Sequence, residues 1–289
     1  MNKKIIKFLS FFIFKSEKRK KFRRILNSIL FQIEQEELES KKEKTRQNLE
    51  EEKYNPRKVY VIDDYKTINN VKFSKDIPNG LISETFVRRD YENGGLKDAV
   101  FVDVGSCIGD SALFSAQNNN IKAVYSFEPF EETFEKAVKN INLNPELKEK
   151  IKIYNYGLGN ESKELEVTIY KDDPIANSTN EFFKEKINKV SNDIVKVKIR
   201  KSSDVLKEII KENPNSPIIL KMDIEGSEFD CFDDIEKNNL FEKIDMIIVE
   251  WHYKDYKILT NLFEKFGFVW FNEYFSDVYG LIRAVKVHK

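Results

Sequence analysis

Residues 99–111, AVFVDVGSCIGDS, place a short apolar run before an aspartate and two glycines four positions apart. The run predicts a buried strand that ends in a tight loop. A P-loop needs a lysine directly after its last glycine, and a dinucleotide loop needs GxGxxG, but only Gly105 and Gly109 stand here. Asp103 would repel a phosphate and could pair with an ammonium group. The loop therefore predicts a ligand with a cationic part and with a carboxylate or amide for helix-start N–H groups.

Short apolar strands alternate with helices from residue 99 onward, which is typical of a parallel sheet covered on both faces. The predicted strands are Val100–Val104, Ala123–Phe127, Ile151–Tyr154, Ile218–Met222 and Met246–Glu250, and the predicted helices cover about 110–117, 131–141, 203–211, 227–237 and 255–266. Strand-like segments 164–170 and 194–200 flank a polar excursion at 171–193, and residues 268–288 predict a final antiparallel pair. Residues 58–73 predict a small hairpin with an Asn-Asn turn.

A second acid follows the second predicted strand, in the sequence SFEP. Glu128 lies 25 residues beyond Asp103, where an acid can accept hydrogen bonds from both hydroxyls of a ribose. An amino-acid moiety at the first loop and a ribose at the second acid describe S-adenosylmethionine.

Three segments resemble the signature blocks of the FkbM-type methyltransferases: VFVDVGSCIGDS (100–111), SFEPFEETFEKAVKNINLN (126–144), and ILKMDIEGSEFD (219–230) followed by IIVEWH (247–252). Ser106 and Cys107 replace the usual Ala-Asn pair, and Val138 stands where leucine is commoner. The resemblance implies a class I methyltransferase fold, Rossmann-like, with a mostly parallel seven-stranded sheet and helices on both faces. It also implies S-adenosyl-L-methionine as the cofactor, with Cys107 packed beside its methionyl group.

The resemblance and the spacing together assign candidate site residues. Cofactor-binding candidates are Asp103, Gly105, Ser106, Gly109, Asp110, Ser111, Glu128, Pro129, Gly157 and Asp223. Catalytic candidates are Lys221, Asp223, Glu225, Glu250 and His252, with His252 as a base that Glu250 tunes. On an extended strand Lys221, Asp223 and Glu225 would face the same way. A divalent metal is also allowed, with Asp223, Glu225 and Glu250 as its ligands.

Plainer interpretations stay open for most of these residues. The two glycines fit a tight turn alone. The acids Glu128, Glu225 and Glu228 also suit helix starts, where negative charge is favoured. His252 could serve only as a structural hydrogen-bonding group, and Lys221 only as a counter-charge.

The family implies an O-methyltransferase whose acceptor is a hydroxyl of a sugar, a surface glycan or a related biosynthetic metabolite. The polar excursion, with Asn177, Ser178, Thr179 and Asn180, could contact sugar hydroxyls or form only a lid. The alternatives are a small-metabolite methyltransferase and a non-catalytic module that binds S-adenosylmethionine or a glycan. A nicotinamide-dependent reductase is disfavoured because the middle glycine is missing.

Charge predicts how the chain is organised. Lysine plus arginine and aspartate plus glutamate number 49 each, which argues against a nucleic-acid partner. Residues 1–24, however, carry ten basic side chains against one acid. We therefore expect a basic helical extension and linker over 1–58, a hairpin and lead-in over 59–98, and the methyltransferase domain over 99–289.

The basic, phenylalanine-rich start is suited to an anionic membrane surface through residues 1–30, and an oligomerisation helix is the alternative. Its apolar stretch of roughly ten residues is too short for a span of about 20. Two cysteines without metal-ligand spacing fit a reducing cytosol. We expect a cytoplasmic protein that can lie on the inner face of the cytoplasmic membrane, and its oligomeric state stays open.

Overall fold

The chain enters its fold through a small antiparallel sheet. In this computed structural model the described residues are 55, 57–62, 64–169 and 193–287. The first strands are β1 (Tyr60–Ile62), β2 (Tyr65–Ile68) and β3 (Val71–Ser74), so the predicted hairpin is confirmed and extended by one strand. Asn69 and Asn70 turn between β2 and β3 with φ of 47° and 64°. This left-handed backbone is what two-residue hairpin turns require and asparagine tolerates.

A short helical segment joins this sheet to the main one. Helix α1 (Asn79–Ser83) continues directly into a π-helical turn (Glu84–Arg88). The turn ends at Arg89, whose φ is 62°. π-helical turns are rare in proteins, but those that occur often lie at functional sites. No periodic pattern in the sequence indicated this one.

Ten further strands follow. They are β4 (Ala99–Val104), β5 (Ile121–Phe127), β6 (Ile151–Tyr154), β7 (Gly157–Gly159), β8 (Lys163–Ile169), β9 (Asp193–Lys201), β10 (Ile218–Met222), β11 (Met246–His252), β12 (Phe268–Tyr274) and β13 (Tyr279–Lys286). Seven of them form the main sheet in the spatial order β12-β13-β11-β10-β4-β5-β6. Only the pairs that include β13 are antiparallel. The predicted mostly parallel sheet of seven strands is confirmed.

Helices connect the strands as predicted. They are α2 (Asp110–Gln117), α3 (Glu131–Asn142), α4 (Pro145–Lys148), α5 (Ser202–Glu212), α6 (Glu228–Lys237) and α7 (Lys257–Lys265), with a 3₁₀ turn at Phe241–Lys243. The five predicted parallel strands and the five predicted helices all occur with bounds within two residues of the prediction. The predicted class I methyltransferase fold is confirmed.

Side chains of the central strand β4 explain why its sequence is apolar throughout. Val100, Val102 and Val104 pack in the cluster that contains residues of α5, α6 and α7. Ala99 and Phe101 point the other way, into the cluster that contains residues of β3, α1 and α2. A strand that is buried on both faces needs a continuous apolar run rather than an alternating one.

The segments around the polar excursion form a second small sheet in the order β7-β9-β8. Residues 170–192, which contain the excursion except for Asp193, and residues 1–54 of the basic extension lie outside the described residues. The predictions for Asn177 to Asn180, for membrane contact through residues 1–30 and for oligomerisation therefore stay predictions. Within the described ranges, no helix combines the length and the apolar character that a membrane span requires.

The order of the strands fixes where a ligand can bind. From β4 the chain continues to β5 and β6 on one side and later returns as β10 and β11 on the other. The loops after β4 and β10 therefore leave the same edge of the sheet side by side. In open α/β sheets this switch in strand order is the usual ligand position.

Candidate active site

The glycine loop after β4 contacts the ends of two neighbouring strands. The N–H groups of Gly105 and Ser106 donate to the carbonyl oxygen of Phe127 at 3.0 and 3.1 Å. A Cβ at position 105 would overlap the backbone carbonyl of Asp223, and the φ of +82° favours glycine there. Gly105 thus permits the close contact between the loop and the ends of β5 and β10.

Asp103 lies beneath this loop and does not reach the ligand space. It is fully buried; its carboxylate accepts hydrogen bonds from Ser111 Oγ at 2.9 Å and from Ser126 Oγ at 3.1 Å, and lies 3.2 Å from Lys221 Nζ. The predicted direct contact between Asp103 and a cofactor ammonium is therefore wrong in this structure. The sequence located the acid correctly, but three polar partners from α2, β5 and β10 already surround it.

Lys221 is the counter-charge of this buried group. Its ammonium donates to the carbonyl oxygen of Gly105 and lies 4.7 Å from the centre of the Tyr91 ring. Burial alone would lower the pKa of Lys221, but Asp103 and its acidic neighbours outweigh burial and raise it. Lys221 therefore stays cationic and holds the loop from below, which agrees with the plainer interpretation of this residue.

Glu128 occupies the end of β5 with both oxygens engaged. Oε2 accepts from the N–H of Cys107 at 2.9 Å, and Oε1 accepts from the N–H of Phe130 at 3.0 Å and from Thr133 Oγ1 at 2.8 Å. A carboxylate has about four acceptor positions, so about one is left for a ligand. Because Thr133 Oγ1 is also 3.0 Å from the Phe130 carbonyl oxygen, a ligand hydroxyl can replace Thr133 at Glu128. Burial raises the pKa of Glu128 to about 7.

One cavity connects these groups. The empty space in it, together with the open solvent at its mouth, is about 1220 Å³. Of the predicted cofactor residues, all but Asp103 and Gly109 line it: Gly105, Ser106, Asp110, Ser111, Glu128, Pro129, Gly157 and Asp223. Gly109 is instead the N-cap of α2, with φ of +78°. Cys107 also lines the cavity, and burial raises the pKa of its thiol well above the usual value, so it is not an activated nucleophile.

The part of the cavity beside Glu128 is apolar. Pro129, Phe130, Leu158 and Ile199 line it together with Gly157. A Cβ at position 157 would lie 2.9 Å from Ile199 Cδ1 and 3.3 Å from Pro129 Cβ. Gly157 therefore leaves room where a larger residue would fill the space between β7 and the end of β5, a shape that suits a flat ring.

The opposite part of the cavity is acidic. Asp223, Glu225 and Glu250 line it, and one ligand atom each of Asp223, Glu225 and His252 lie within 4.8 Å of one another. The prediction that strand geometry aligns Lys221, Asp223 and Glu225 is wrong, because β10 ends at Met222 and Glu225 lies on a turn with φ of +55°. The turn, and not the strand, carries Glu225 to this cluster.

His252 lies behind the acidic lining rather than in it. Its Nδ1 is 3.0 Å from Glu228 Oε1, while its Nε2 is 3.5 Å from Glu225 and 3.7 Å from Glu250. Burial alone would lower the pKa of His252, but Glu228 and then Glu225 outweigh it and raise the pKa to about 10. The prediction of His252 as a base tuned by Glu250 is thus not supported: the ring is already protonated near neutral pH, and its nearest partner is Glu228.

Two further side chains complete the acidic end. Burial, followed by the neighbouring Asp223 carboxylate, raises the pKa of Glu250 to about 9. Tyr91, which the sequence did not single out, is 7% exposed and donates from its hydroxyl to Asp223 Oδ2 at 2.8 Å. These two residues come from β11 and from the lead-in before β4, so the acidic end combines distant parts of the chain.

A comparison of the amino-acid sequence with models of known protein families assigns the chain to a family. The model of the methyltransferase FkbM domain matches residues 103–282, more than half of the chain. The chain belongs to the FkbM methyltransferase family. The chain therefore contains a methyltransferase FkbM domain. No curated protein matches it.

Several solved structures are similar to this methyltransferase. An FkbM methyltransferase from Methylobacillus flagellatus has 15% identity and a TM-score of 0.47, and the match covers 70% of this chain and 47% of that one. TrmK of M. capricolum, bound to S-adenosylhomocysteine, has 12% identity and a TM-score of 0.36, with coverage of 66% and 63%. Sp1610 of Streptococcus pneumoniae, bound to S-adenosyl-L-methionine, has 14% identity and a TM-score of 0.39, with coverage of 66% and 67%. The chain thus spans less than two thirds of the length of the first two.

The methyltransferase cavity includes residues that sequence reasoning missed. Leu81, Glu84, Thr85 and Tyr91 line it from the segment before β4, outside the family match. The hydroxyl of Thr85 donates to Asp110 at the start of α2, and burial raises the pKa of Asp110 to about 6. The only sequence signal for these residues was their place in the lead-in, which carries no spacing rule.

Proposed function

We propose that this enzyme transfers the methyl group of S-adenosylmethionine to a hydroxyl oxygen of an uncharged, sugar-like acceptor. One observation carries the proposal: Glu128 and the apolar pocket at one end, and Asp223, Glu225 and Glu250 at the other, line the same cavity. Methyl transfer is an in-line displacement, in which the bond from the methyl carbon to sulfur breaks while a bond to the acceptor oxygen forms. Such a reaction depends on holding donor and acceptor collinear.

The cofactor fits this cavity in one direction. Glu128 accepts a hydrogen bond from a ribose hydroxyl in place of the one from Thr133, and the adenine lies against Pro129 and Leu158. The methionyl part then lies at the glycine loop, where the N-terminus of α2 favours its carboxylate. Because Asp103 is covered, we assign the ammonium to Asp110, which lines the cavity at the start of that helix.

The charge of the lining supports a neutral acceptor. Six carboxylates of the described chain line the cavity, from Glu84, Asp110, Glu128, Asp223, Glu225 and Glu250, against one lysine, Lys221. Such a lining offers little positive charge to a phosphate or a carboxylate on the acceptor, because Lys221 is engaged by Asp103. It suits a neutral polyol, because carboxylate oxygens accept hydrogen bonds from hydroxyl groups. Sugar phosphates and nucleic acids are therefore poor acceptors in this proposal.

The proposal gives the acidic end two tasks. Glu250 lines the cavity from β11 and, in its ionised form, takes the proton that the acceptor hydroxyl loses; its raised pKa makes this form a stronger base. Asp223, held by Tyr91, positions the acceptor. We include a divalent cation at this end, which would supply Lewis-acid polarisation of the acceptor oxygen.

Incubation with methyl-labelled S-adenosylmethionine tests the proposal. Purified enzyme is offered neutral surface glycans, amino-containing glycans, sugar phosphates and RNA in separate reactions. We expect label in the neutral glycan fraction. Label found only in a phosphate-bearing fraction would contradict the acceptor class. A thermal shift with NAD but none with S-adenosylhomocysteine would contradict the cofactor.

A further inference from the structure

The acidic end gathers four carboxyl groups around one imidazole. Asp223, Glu225, Glu228 and Glu250 surround the single imidazole of His252. Lys221 is engaged by Asp103 at 3.2 Å, and the Nε of Arg88 donates to Asp90 at 3.0 Å. A divalent cation bound here would stabilise the ionised forms of these carboxyl groups.

The arrangement of three of these groups suits a metal ion. One oxygen each of Asp223 and Glu225 and one ring nitrogen of His252 lie within 4.8 Å of one another. Ligand atoms held about 2.1 Å from a divalent ion lie roughly 3 to 4 Å apart. A contraction on the order of 1 Å, within the reach of side-chain rotations, would therefore close the three atoms around one ion.

A fixed outer layer orients two of the three groups. Glu228 is fully buried and contacts His252 Nδ1 at 3.0 Å, which leaves Nε2 facing Glu225 and Glu250. Glu228 is held in turn by the N–H groups of Ile224 at 3.1 Å and Gly226 at 3.0 Å. Metal-binding histidines usually donate their second ring N–H to a carboxylate in this way. Tyr91 likewise fixes one oxygen of Asp223 and leaves the other available.

One atom of this cluster has no partner inside the described protein. Glu228 Oε2 is buried and makes no hydrogen bond. A buried carboxylate oxygen without a donor is costly unless positive charge lies close by. The His252 ring, 3.0 Å from the other oxygen of Glu228, supplies that charge when it is protonated, and a cation bound at Nε2 would supply it in place of the proton.

We propose that Asp223, Glu225 and His252 bind one divalent first-row cation, with Glu228 and Tyr91 as positioning residues. The ion displaces the proton from His252 Nε2 on binding, while Nδ1–H keeps its contact with Glu228. The mixed nitrogen and oxygen ligands suit Mn²⁺, Fe²⁺ or Zn²⁺ better than Ca²⁺. His252 thereby replaces Glu250 in the ligand set predicted from sequence, and Glu250 stays available to the acceptor. Only the catalytic role of the ion rests on the proposed function; its binding does not.

Mn²⁺ binding to the full-length protein measures the site without an acceptor. Protein is titrated into Mn²⁺ in the presence of S-adenosylhomocysteine, and the electron paramagnetic resonance signal of free Mn²⁺ is measured. We expect wild type to bind one equivalent. Asp223→Asn and His252→Asn should each lose at least about 100-fold in affinity, and Glu228→Gln about 10- to 100-fold. Asp230→Asn removes an exposed acid from the same helix and should bind Mn²⁺ as wild type does.

A second readout is independent of these buried substitutions. The chain has two histidines, His252 and His288. An NMR spectrum of protein that is isotope-labelled at histidine therefore shows two sets of ring signals, and the His288→Gln variant assigns them. Mn²⁺ should broaden the His252 signals at one equivalent.

The outcomes separate this inference from the proposed function. Mn²⁺ binding without methyl transfer supports the site and contradicts the function. Methyl transfer by a protein that binds no Mn²⁺ or Zn²⁺ supports the function and overturns the site. Wild-type affinity in His252→Asn, or unchanged His252 signals, also overturns it.

Discussion

The two ends of the cavity are built in different ways. At one end, called the ribose end because we propose that Glu128 binds a ribose there, Glu128 takes its hydrogen bonds from Cys107, Phe130 and Thr133, all within 21 residues of it along the chain. At the acidic end, Asp223 is bonded to Tyr91, 132 residues away, and His252 to Glu228, 24 residues away. The ribose end is therefore a local feature of adjacent strand–loop–helix units, whereas the acidic end also needs Tyr91 from the segment before β4.

This difference separates binding from chemistry. Substitutions at the ribose end should change cofactor affinity and leave the acidic end intact. Substitutions at the acidic end should change turnover and leave cofactor affinity nearly unchanged. Gly105 contacts both ends and is the exception.

The largest effect is expected from Asp223→Asn. Loss of this charge removes both the positioning of the acceptor and the hydrogen bond from Tyr91 in its present form. We expect kcat to fall by at least about 10³-fold, with S-adenosylhomocysteine affinity within a few-fold of wild type by calorimetry. Asp230→Asn is the matched control and should turn over as wild type. A large loss of cofactor affinity in Asp223→Asn would move this residue to the cofactor site.

Gly105→Ala should disturb both ends together. An added Cβ would overlap the Asp223 carbonyl, on a backbone with φ of +82°. We expect the free energy of unfolding to fall by roughly 2–4 kcal/mol, measured by urea unfolding, with losses in both cofactor affinity and kcat. In Gly95→Ala an added Cβ meets nothing within 4 Å, so its stability should stay within about 0.5 kcal/mol of wild type. Equal stability of the two variants would contradict the close contact.

Glu128→Gln should weaken cofactor binding and spare chemistry. The substitution converts a charged acceptor of hydrogen bonds into a neutral one, which weakens the binding free energy of the cofactor by about 1.5–3 kcal/mol. The dissociation constant of S-adenosylhomocysteine should therefore rise about 10- to 100-fold, while kcat at saturating cofactor changes less than threefold or so. A kcat loss as large as that of Asp223→Asn would erase the proposed difference between the ends.

The smallest effect is a pH dependence at the ribose end. Burial raises the pKa of Glu128 to about 7, and a ribose hydroxyl favours the ionised carboxylate. Affinity for S-adenosylhomocysteine should be constant above pH 7 and fall about tenfold per pH unit below it. Glu128→Gln should abolish this dependence in the same calorimetric series. A dependence that persists in the variant would assign it to another group.

The contrast between the ends also explains what the sequence predicted. The strands, the helices and the acid after β5 follow from apolar periods and from short spacings, so the positions of Glu128 and Gly105 at the strand ends could be predicted directly. Asp103 was recognised, but its burial depends on Ser126 and Lys221, which come from other strands. The turn that carries Glu225, the Glu228–His252 contact and the arrival of Tyr91 depend on tertiary packing, for which spacing holds no signal.

A crystal structure with S-adenosylhomocysteine tests the central claim most directly, because the ligand reports both ends at once. We expect a ribose hydroxyl within hydrogen-bonding distance of Glu128 and the sulfur directed toward Asp223 and Glu250. A ligand bound outside this cavity, or one whose ribose lies away from Glu128, would contradict the account.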